Sequence, residues 1–194
     1  MQDGMFDENY SDHYSLAELH FKRAIGEIPE MESSKAIAAL ICQNFKIGGS
    51  IADIGCSSGH YLYSICKYLK EEDFSYTGID LHDLLLNKAK LAWQKQENAS
   101  FRKGSIFQIP ADDSEFDLVF CSNLLMHLPS IVKPISELLT IAKKEKVIIR
   151  TYIGTKSYKI QEVKNNSFWP GTTVAPENEF CDDGTARFFE YENI

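Results

Sequence analysis

The sequence has little of what marks a membrane, disulfide-bonded or nucleic-acid-binding protein. Its longest apolar run, Ala36–Cys42, has seven residues, whereas a helix that crosses a bilayer needs about 20. Basic residues are outnumbered, with 20 Lys and Arg against 28 Asp and Glu and a net charge of −8. An acidic surface repels phosphate backbones, so we expect neither a large nucleic-acid interface nor a membrane partner.

Cysteine usage excludes two further classes. The chain has five cysteines, an odd number, and no C-x-x-C pair. This pattern argues against a disulfide framework and against a zinc ribbon. We therefore expect free thiols and no bound metal. The first residues are acidic and lack the apolar segment of a secretory signal, so the expected location is cytoplasmic.

What the sequence does contain is typical of one folded domain. It has 194 residues, of which 44% are hydrophobic and 25% charged, close to average globular usage. A chain of this length buries enough apolar surface to form a stable core. We predict an N-terminal helical extension over residues 1–34, an α/β core over 35–151 and a C-terminal segment over 152–194.

Hydrophobic periodicity predicts the secondary structure. A helix is predicted over 15–28, begun by a capping box at Ser15-x-x-Glu18, and a second from about Ser34 to Gly48-Gly49. Strands and helices then alternate. The predicted strands are Ile51–Ile54, Tyr76–Asp80, Ser100–Lys103, Asp117–Ser122 and Lys146–Thr151, and the helices between them span about 61–70, 83–96 and 131–142. Because the strands are continuously apolar, we predict a doubly wound, mostly parallel sheet with helices on both faces.

The turn after the first core strand carries the clearest functional signal. It reads Asp53-Ile54-Gly55-Cys56-Ser57-Ser58-Gly59, which is neither the G-x-G-x-x-G dinucleotide fingerprint nor a Walker loop. Glycines let a ligand approach the backbone closely. The acid at Asp53 would repel a pyrophosphate and instead favours a ligand with an ammonium or sulfonium group.

Together with three later motifs, this turn resembles motif I of the class I S-adenosylmethionine-dependent methyltransferases. The second strand ends in Gly78-Ile79-Asp80-Leu81, the third leads to Gly104-Ser105-Ile106, and the fourth ends in Ser122-Asn123 before Leu124–Pro129. The resemblance covers residues 35–151. It implies a Rossmann-like fold, S-adenosylmethionine as the cofactor and methyl transfer as the activity.

The resemblance also assigns roles to individual residues. The methionine part of the cofactor would lie at Asp53, Gly55, Cys56, Ser57 and Gly59. Asp80 and Leu81 would hold the ribose and one adenine face, Ser105 and Ile106 the adenine edge, and Ser122 and Asn123 the methionine amino group and the methyl. Ser57 replaces the usual middle glycine, which is tolerable where the position does not need a positive φ. Ser105 replaces the usual acid, which weakens the adenine hydrogen bond.

The residue that would deprotonate the acceptor is less clearly marked. His127 follows the fourth strand, where the substrate cleft of such enzymes opens, and it is the first candidate for the base; a role in packing the turn beside Pro129 is the alternative. The N-terminal extension offers His13, Tyr14, His20 and Arg23, and Arg23 is a candidate partner of the methionine carboxylate. His60 and His82 read as surface residues that flank the motifs.

The acceptor is predicted only by class. Enzymes of this family that methylate nucleic-acid bases often carry a Pro-Pro-aromatic motif after the fourth strand, where this chain has Ser122-Asn123-Leu124-Leu125. With the acidic charge, this favours O- or N-methylation of a small-molecule acceptor. Two alternatives stay open: an S-adenosylmethionine-binding partner subunit without catalysis, and a nicotinamide-dependent oxidoreductase, which the loop spacing disfavours.

The C-terminal segment does not match the family pattern clearly. We find no long periodic helix in it, so the sixth and seventh strands usual in the family are expected to be missing or incomplete. Its aromatic residues would form a lid over the acceptor or an exposed patch that supports a homodimer. These residues are Phe168, Trp169, Phe180, Phe188, Phe189 and Tyr191.

Overall fold

The computed structural model describes residues 10–128, 130–151, 158–162 and 187–191. Its core is a five-stranded parallel sheet in the order β3-β2-β1-β4-β5. The strands are β1 (Gly49–Ile54), β2 (Phe74–Asp80), β3 (Ala99–Lys103), β4 (Leu118–Ser122) and β5 (Val147–Arg150). The doubly wound fold predicted from the apolar strands is confirmed.

In the part of the chain that the structure describes, the α-helices that accompany the sheet are α1 (Tyr10–Ala24), α2 (Glu32–Asn44), α3 (His60–Ile65), α4 (Asp83–Ala92) and α5 (Val132–Ile141). Pro134 lies in the first turn of α5, where its missing N–H costs no hydrogen bond. None of the helices that the structure describes is long and apolar enough to cross a membrane.

Two hydrophobic cores lie on opposite faces of the sheet because successive strand residues point to opposite sides. Ile51 and Phe120 pack with Ile41 of α2 and Leu62 of α3. Their strand neighbours join the second core, where Leu138 and Ile141 of α5 meet Ala52 and Val119. The central strand β4 is therefore buried on both faces, as are most residues of β1 and β2, which is why these strands read as continuous apolar runs. The edge strands β3 and β5 are only partly buried.

The start of α1 differs from the prediction. The helix begins at Tyr10, so Ser15 lies inside it and the predicted capping box is wrong. Its contact with the core is made by small residues: Ala17 is inaccessible and Ala24 is 2% exposed, whereas Leu16 and Leu19 are each 41% exposed. A small residue is needed there because the Ala17 carbonyl accepts a hydrogen bond from Ser58 Oγ at 3.0 Å, which brings the two backbones close together.

Two other helices are shorter than predicted. α3 ends at Ile65 and continues as tighter turns, in which the Lys67 and Tyr68 amides bond to carbonyls three residues back. α4 ends at Ala92, and Leu91 is 52% exposed. The buried face of α4 comprises Leu85, Leu86 and Ala89.

The C-terminal segment contributes two strands that the sequence did not predict. β6 (Tyr158–Glu162) and β7 (Arg187–Tyr191) pair antiparallel in a separate two-stranded sheet. Among the described residues the parallel sheet stops at β5. The predicted lid or association patch depends on side chains that lie outside the description.

Candidate cofactor site

The predicted site residues converge at one edge of the sheet. β1 pairs with β2 on one side and with β4 on the other, and Ile54 is level with both Ile79 and Cys121. The carboxyl ends of the three strands therefore meet, and the loops that follow them face the same crevice. In a doubly wound sheet this crevice is where ligands bind.

The loop after β1 is fixed to the end of β2. The Gly55 and Cys56 amides donate to the Ile79 carbonyl at 2.8 and 3.2 Å. Gly55 has a φ of +81°, and a Cβ on it would lie 2.8 Å from Cδ2 of Leu124. This position therefore requires glycine both for its backbone conformation and for the close approach of Leu124.

Asp80 links the end of β2 to this loop. Its Oδ2 accepts the Ser57 amide at 2.8 Å, and its Oδ1 accepts the His82 amide at 3.1 Å. Burial raises the pKa of its carboxyl, while these two hydrogen bonds act to lower it. A carboxylate offers about four acceptor positions, so Asp80 keeps capacity for the two hydroxyls of a ribose.

Asp53 lies deeper than the other acid. It is 1% exposed, and its Oδ2 accepts the Tyr76 hydroxyl at 2.7 Å. The pKa of Asp53 is raised to about 7, mainly by burial; the Asp80 charge acts in the same direction, and the Tyr76 hydrogen bond opposes the rise. Asp53 therefore joins the end of β1 to β2 through Tyr76, and with a pKa of about 7 its carboxyl titrates near neutral pH.

The predicted adenine side contains one open and one buried apolar residue. Leu81 is 41% exposed at the end of β2, whereas Ile106 is 6% exposed. Ser105 is engaged locally, because its Oγ accepts the Phe107 amide at 3.2 Å.

The end of β4 brings in a residue that the sequence analysis missed. Tyr61 is buried, and its hydroxyl lies 2.7 Å from Ser122 Oγ and 3.4 Å from Ser33 Oγ. Asn123 has a φ of +60°; its amide donates to the Arg150 carbonyl at 2.9 Å, and its side-chain oxygen accepts the Arg150 guanidinium. An aromatic residue so soon after the glycine loop is the only sequence signal for Tyr61.

Helix α1 covers the second half of the loop. Nδ1 of His20 lies 2.8 Å from Ser57 Oγ, within a hydrogen bond. Ser57 has a φ of +51°, so the position does adopt the left-handed conformation and the stated condition for tolerating serine is not met. The hydrogen bonds of its amide and hydroxyl offset that cost.

His60 is not a surface residue. It is 4% exposed, and its ring stacks on His20 with centroids 4.0 Å apart and planes inclined by 29°. Among the residues that the structure describes, neither ring nitrogen of His60 has a hydrogen-bond partner, and nor does the buried Nε of Arg23. Burial is the main cause that lowers the pKa values of both histidines, that of His20 to about 4, with the Arg23 charge acting in the same direction.

The remaining histidine candidates are placed more simply. His127 is exposed in the short 3-10 turn Leu125–His127 after β4, at the expected edge of the sheet. His82 is half-buried. The side chain of His13 lies outside the described part, and the role of His127 stays a prediction.

Comparison with known proteins identifies the family. A sequence profile described as a methyltransferase domain matches residues 46–183, more than half of the chain. An uncharacterized methyltransferase of Schizosaccharomyces pombe is 32% identical over 124 residues, which are 56% of this chain and 44% of the relative. A ubiquinone biosynthesis O-methyltransferase of Nitrosospira multiformis is 31% identical over 98 residues, or 50% and 39% of the two chains. A tRNA U34 carboxymethyltransferase of Campylobacter curvus is 28% identical over 93 residues, or 47% and 30%.

The chain spans less than half the length of these three relatives.

Solved structures agree on the fold. A S-adenosylmethionine-dependent methyltransferase of Aquifex aeolicus superposes with a TM-score of 0.54 at 20% identity, covering 80% of this chain and 73% of that one. One of Methanococcus maripaludis gives 0.55 at 18% identity, covering 74% and 62%. The profile match and the site geometry lead to one conclusion: the chain belongs to the class I S-adenosylmethionine-dependent methyltransferase family.

Proposed function

We propose that this protein transfers a methyl group from S-adenosylmethionine to a small-molecule hydroxyl or amine. The observation that carries the proposal is the joint geometry of the glycine loop and Asp80. The Ser57 amide bonds to Asp80 at 2.8 Å, so the loop and the acid beside it form one preorganised unit.

The residues present fit this cofactor. Asp80 retains acceptor capacity for ribose hydroxyls, and glycine at position 55 leaves no side chain between the loop and the crevice. The unpartnered Nε of Arg23 and the unpartnered ring of His60 are buried polar groups, which usually find a partner. A carboxylate and an ammonium, as on an amino acid, would satisfy them. We therefore assign the methionine end to Arg23 and the loop, and the ribose to Asp80.

When bound, S-adenosylmethionine supplies a methyl group already activated by its sulfonium, so the protein contributes mainly alignment. The hydroxyls of Tyr61 and Ser122 are hydrogen-bonded at 2.7 Å beside the end of β4. The side-chain oxygen of Asn123 accepts a hydrogen bond from the Arg150 guanidinium. These groups would orient the reacting ends. His127, exposed at the same edge, would accept the acceptor's proton.

The acceptor class rests on charge and on the absence of a base-binding motif. The net charge of −8 opposes a polyanionic acceptor, and Ser122-Asn123-Leu124-Leu125 contains no Pro-Pro-aromatic sequence. Among the relatives, one is named for a ubiquinone pathway and one for tRNA. We favour the first kind of acceptor, a small molecule with a hydroxyl group.

Two measurements test the proposal. Calorimetric titration with S-adenosylhomocysteine should show micromolar binding, with NADH as the control ligand. Transfer of radiolabelled methyl should then be found with phenols, catechols or amines and not with transfer RNA. Labelled RNA would refute the acceptor class. Binding without transfer to any acceptor would favour a non-catalytic cofactor-binding subunit, and binding of NADH alone would refute the cofactor.

A further inference from the structure

Ser57, in the loop after β1, combines a strained backbone conformation with a side chain that contacts helix α1. The left-handed conformation is unfavourable for residues other than glycine, and Ser57 adopts it with a φ of +51°. Its amide donates a hydrogen bond to Asp80 Oδ2 at 2.8 Å. Its hydroxyl forms a second hydrogen bond, with His20 Nδ1 at 2.8 Å. The loop conformation that presents Ser57 to Asp80 therefore depends on a residue of α1.

His20 is itself held in place. Its ring stacks on the buried ring of His60, the residue that directly follows the loop. One turn earlier, the Ala17 carbonyl accepts Ser58 Oγ at 3.0 Å, and Glu18 forms an ion pair with Lys88 of α4. Burial lowers the pKa of His20 to about 4, so the ring is neutral near pH 7 and adds no charge beside the loop.

We propose that His20 is a positioning residue for the cofactor loop, and that it acts through its hydrogen bond to Ser57. The inference rests on the proposed function, since it assigns a role within the same cofactor site. Two hydrogen bonds hold Ser57 in place: its amide donates to Asp80, and its hydroxyl bonds to His20. Docking of α1 and binding of the cofactor then stabilise each other, and such coupling is reciprocal.

A double-mutant cycle tests the inference. The variants are His20→Ala, Ser57→Ala and the pair, with the dissociation constant of S-adenosylhomocysteine measured by calorimetry. A hydrogen bond of ordinary strength predicts a two- to tenfold weakening for each single variant. Because both substitutions remove the same hydrogen bond, the double variant should bind S-adenosylhomocysteine no more weakly than the single variant with the lower affinity. His20→Asn keeps a polar atom near the Nδ1 position and should restore most of the affinity.

The controls separate positioning from folding. Leu19→Ala changes an exposed neighbour on α1 and should leave the affinity unchanged. Circular dichroism and urea unfolding show whether each variant is folded, and a purely structural His20 would lower stability without changing the affinity of the folded protein. In hydrogen exchange, S-adenosylhomocysteine should increase amide protection in α1 of the wild type but not of Ser57→Ala.

Three outcomes would overturn the inference. Unchanged affinity in His20→Ala would mean that the bond does not position the loop. Effects that multiply in the double variant would mean that Ser57 and His20 act separately. If the wild type does not bind S-adenosylhomocysteine, the proposed function fails and the inference fails with it. If the wild type binds but the cycle shows no coupling, only the inference fails.

Discussion

The buried acid Asp53 gives the most direct quantitative prediction. Its pKa is about 7 in the folded protein against an ordinary 3.8, so between these values the folded chain binds a proton that the unfolded chain has released. The free energy of unfolding therefore falls as pH rises through this range. This carboxyl favours folding most at pH values below 3.8, and that contribution is lost as pH passes 7.

The size of the effect follows from the two pKa values. Between pH 5 and pH 8 the Asp53 contribution decreases by about 2–3 kcal/mol. Asp53→Asn removes the titration while its amide oxygen still accepts the Tyr76 hydroxyl, which now lies 2.7 Å from Oδ2. We expect the wild type to lose about 2–3 kcal/mol more stability than Asp53→Asn over that range.

Urea unfolding of both proteins at pH 5 and pH 8 measures this difference. The comparison removes most contributions from other groups, including His20, whose lowered pKa acts in the opposite direction between about pH 4 and 6.5. Tyr76→Phe deletes the hydrogen bond that opposes the rise in the pKa of Asp53. The free energy of unfolding of this variant should therefore fall more steeply with pH than that of the wild type. Equal pH dependence of wild type and Asp53→Asn would refute the reasoning and imply that Asp53 is ionised at pH 5.

Three further predictions concern the site. Asp80→Ala should weaken binding of S-adenosylhomocysteine by about 1–3 kcal/mol, since it removes charge-assisted acceptors; unchanged calorimetric affinity would refute its ribose role. His127→Ala should reduce turnover by roughly 10²–10⁴ if it is the base, measured by methyl transfer to the identified acceptor; full turnover would exclude that role. Gly55→Ala should lower the free energy of unfolding by at least about 1 kcal/mol, because its φ is +81° and the new Cβ would meet Leu124; urea unfolding showing no loss would contradict this.

Local pattern determined the framework of the protein. In β4 the four residues Leu118–Cys121 are apolar without alternation, and that pattern occurs where both faces of a sheet are covered. The order of the strands also predicted that Gly55, Asp53 and Asp80 lie near one another, because the carboxyl ends of parallel strands meet at one edge of the sheet. The fold class and the family were therefore predictable from the sequence alone.

Only the tertiary structure decided how α1 joins the site. Periodicity placed its start five residues late, and it is close contact with the glycine loop that buries Ala17 while Leu16 and Leu19 stay exposed. The left-handed conformation of Ser57 and the burial of His60 likewise depend on a partner distant in sequence. Propensity reports a residue's average preference, and contacts between helix and loop override it wherever two backbones meet closely.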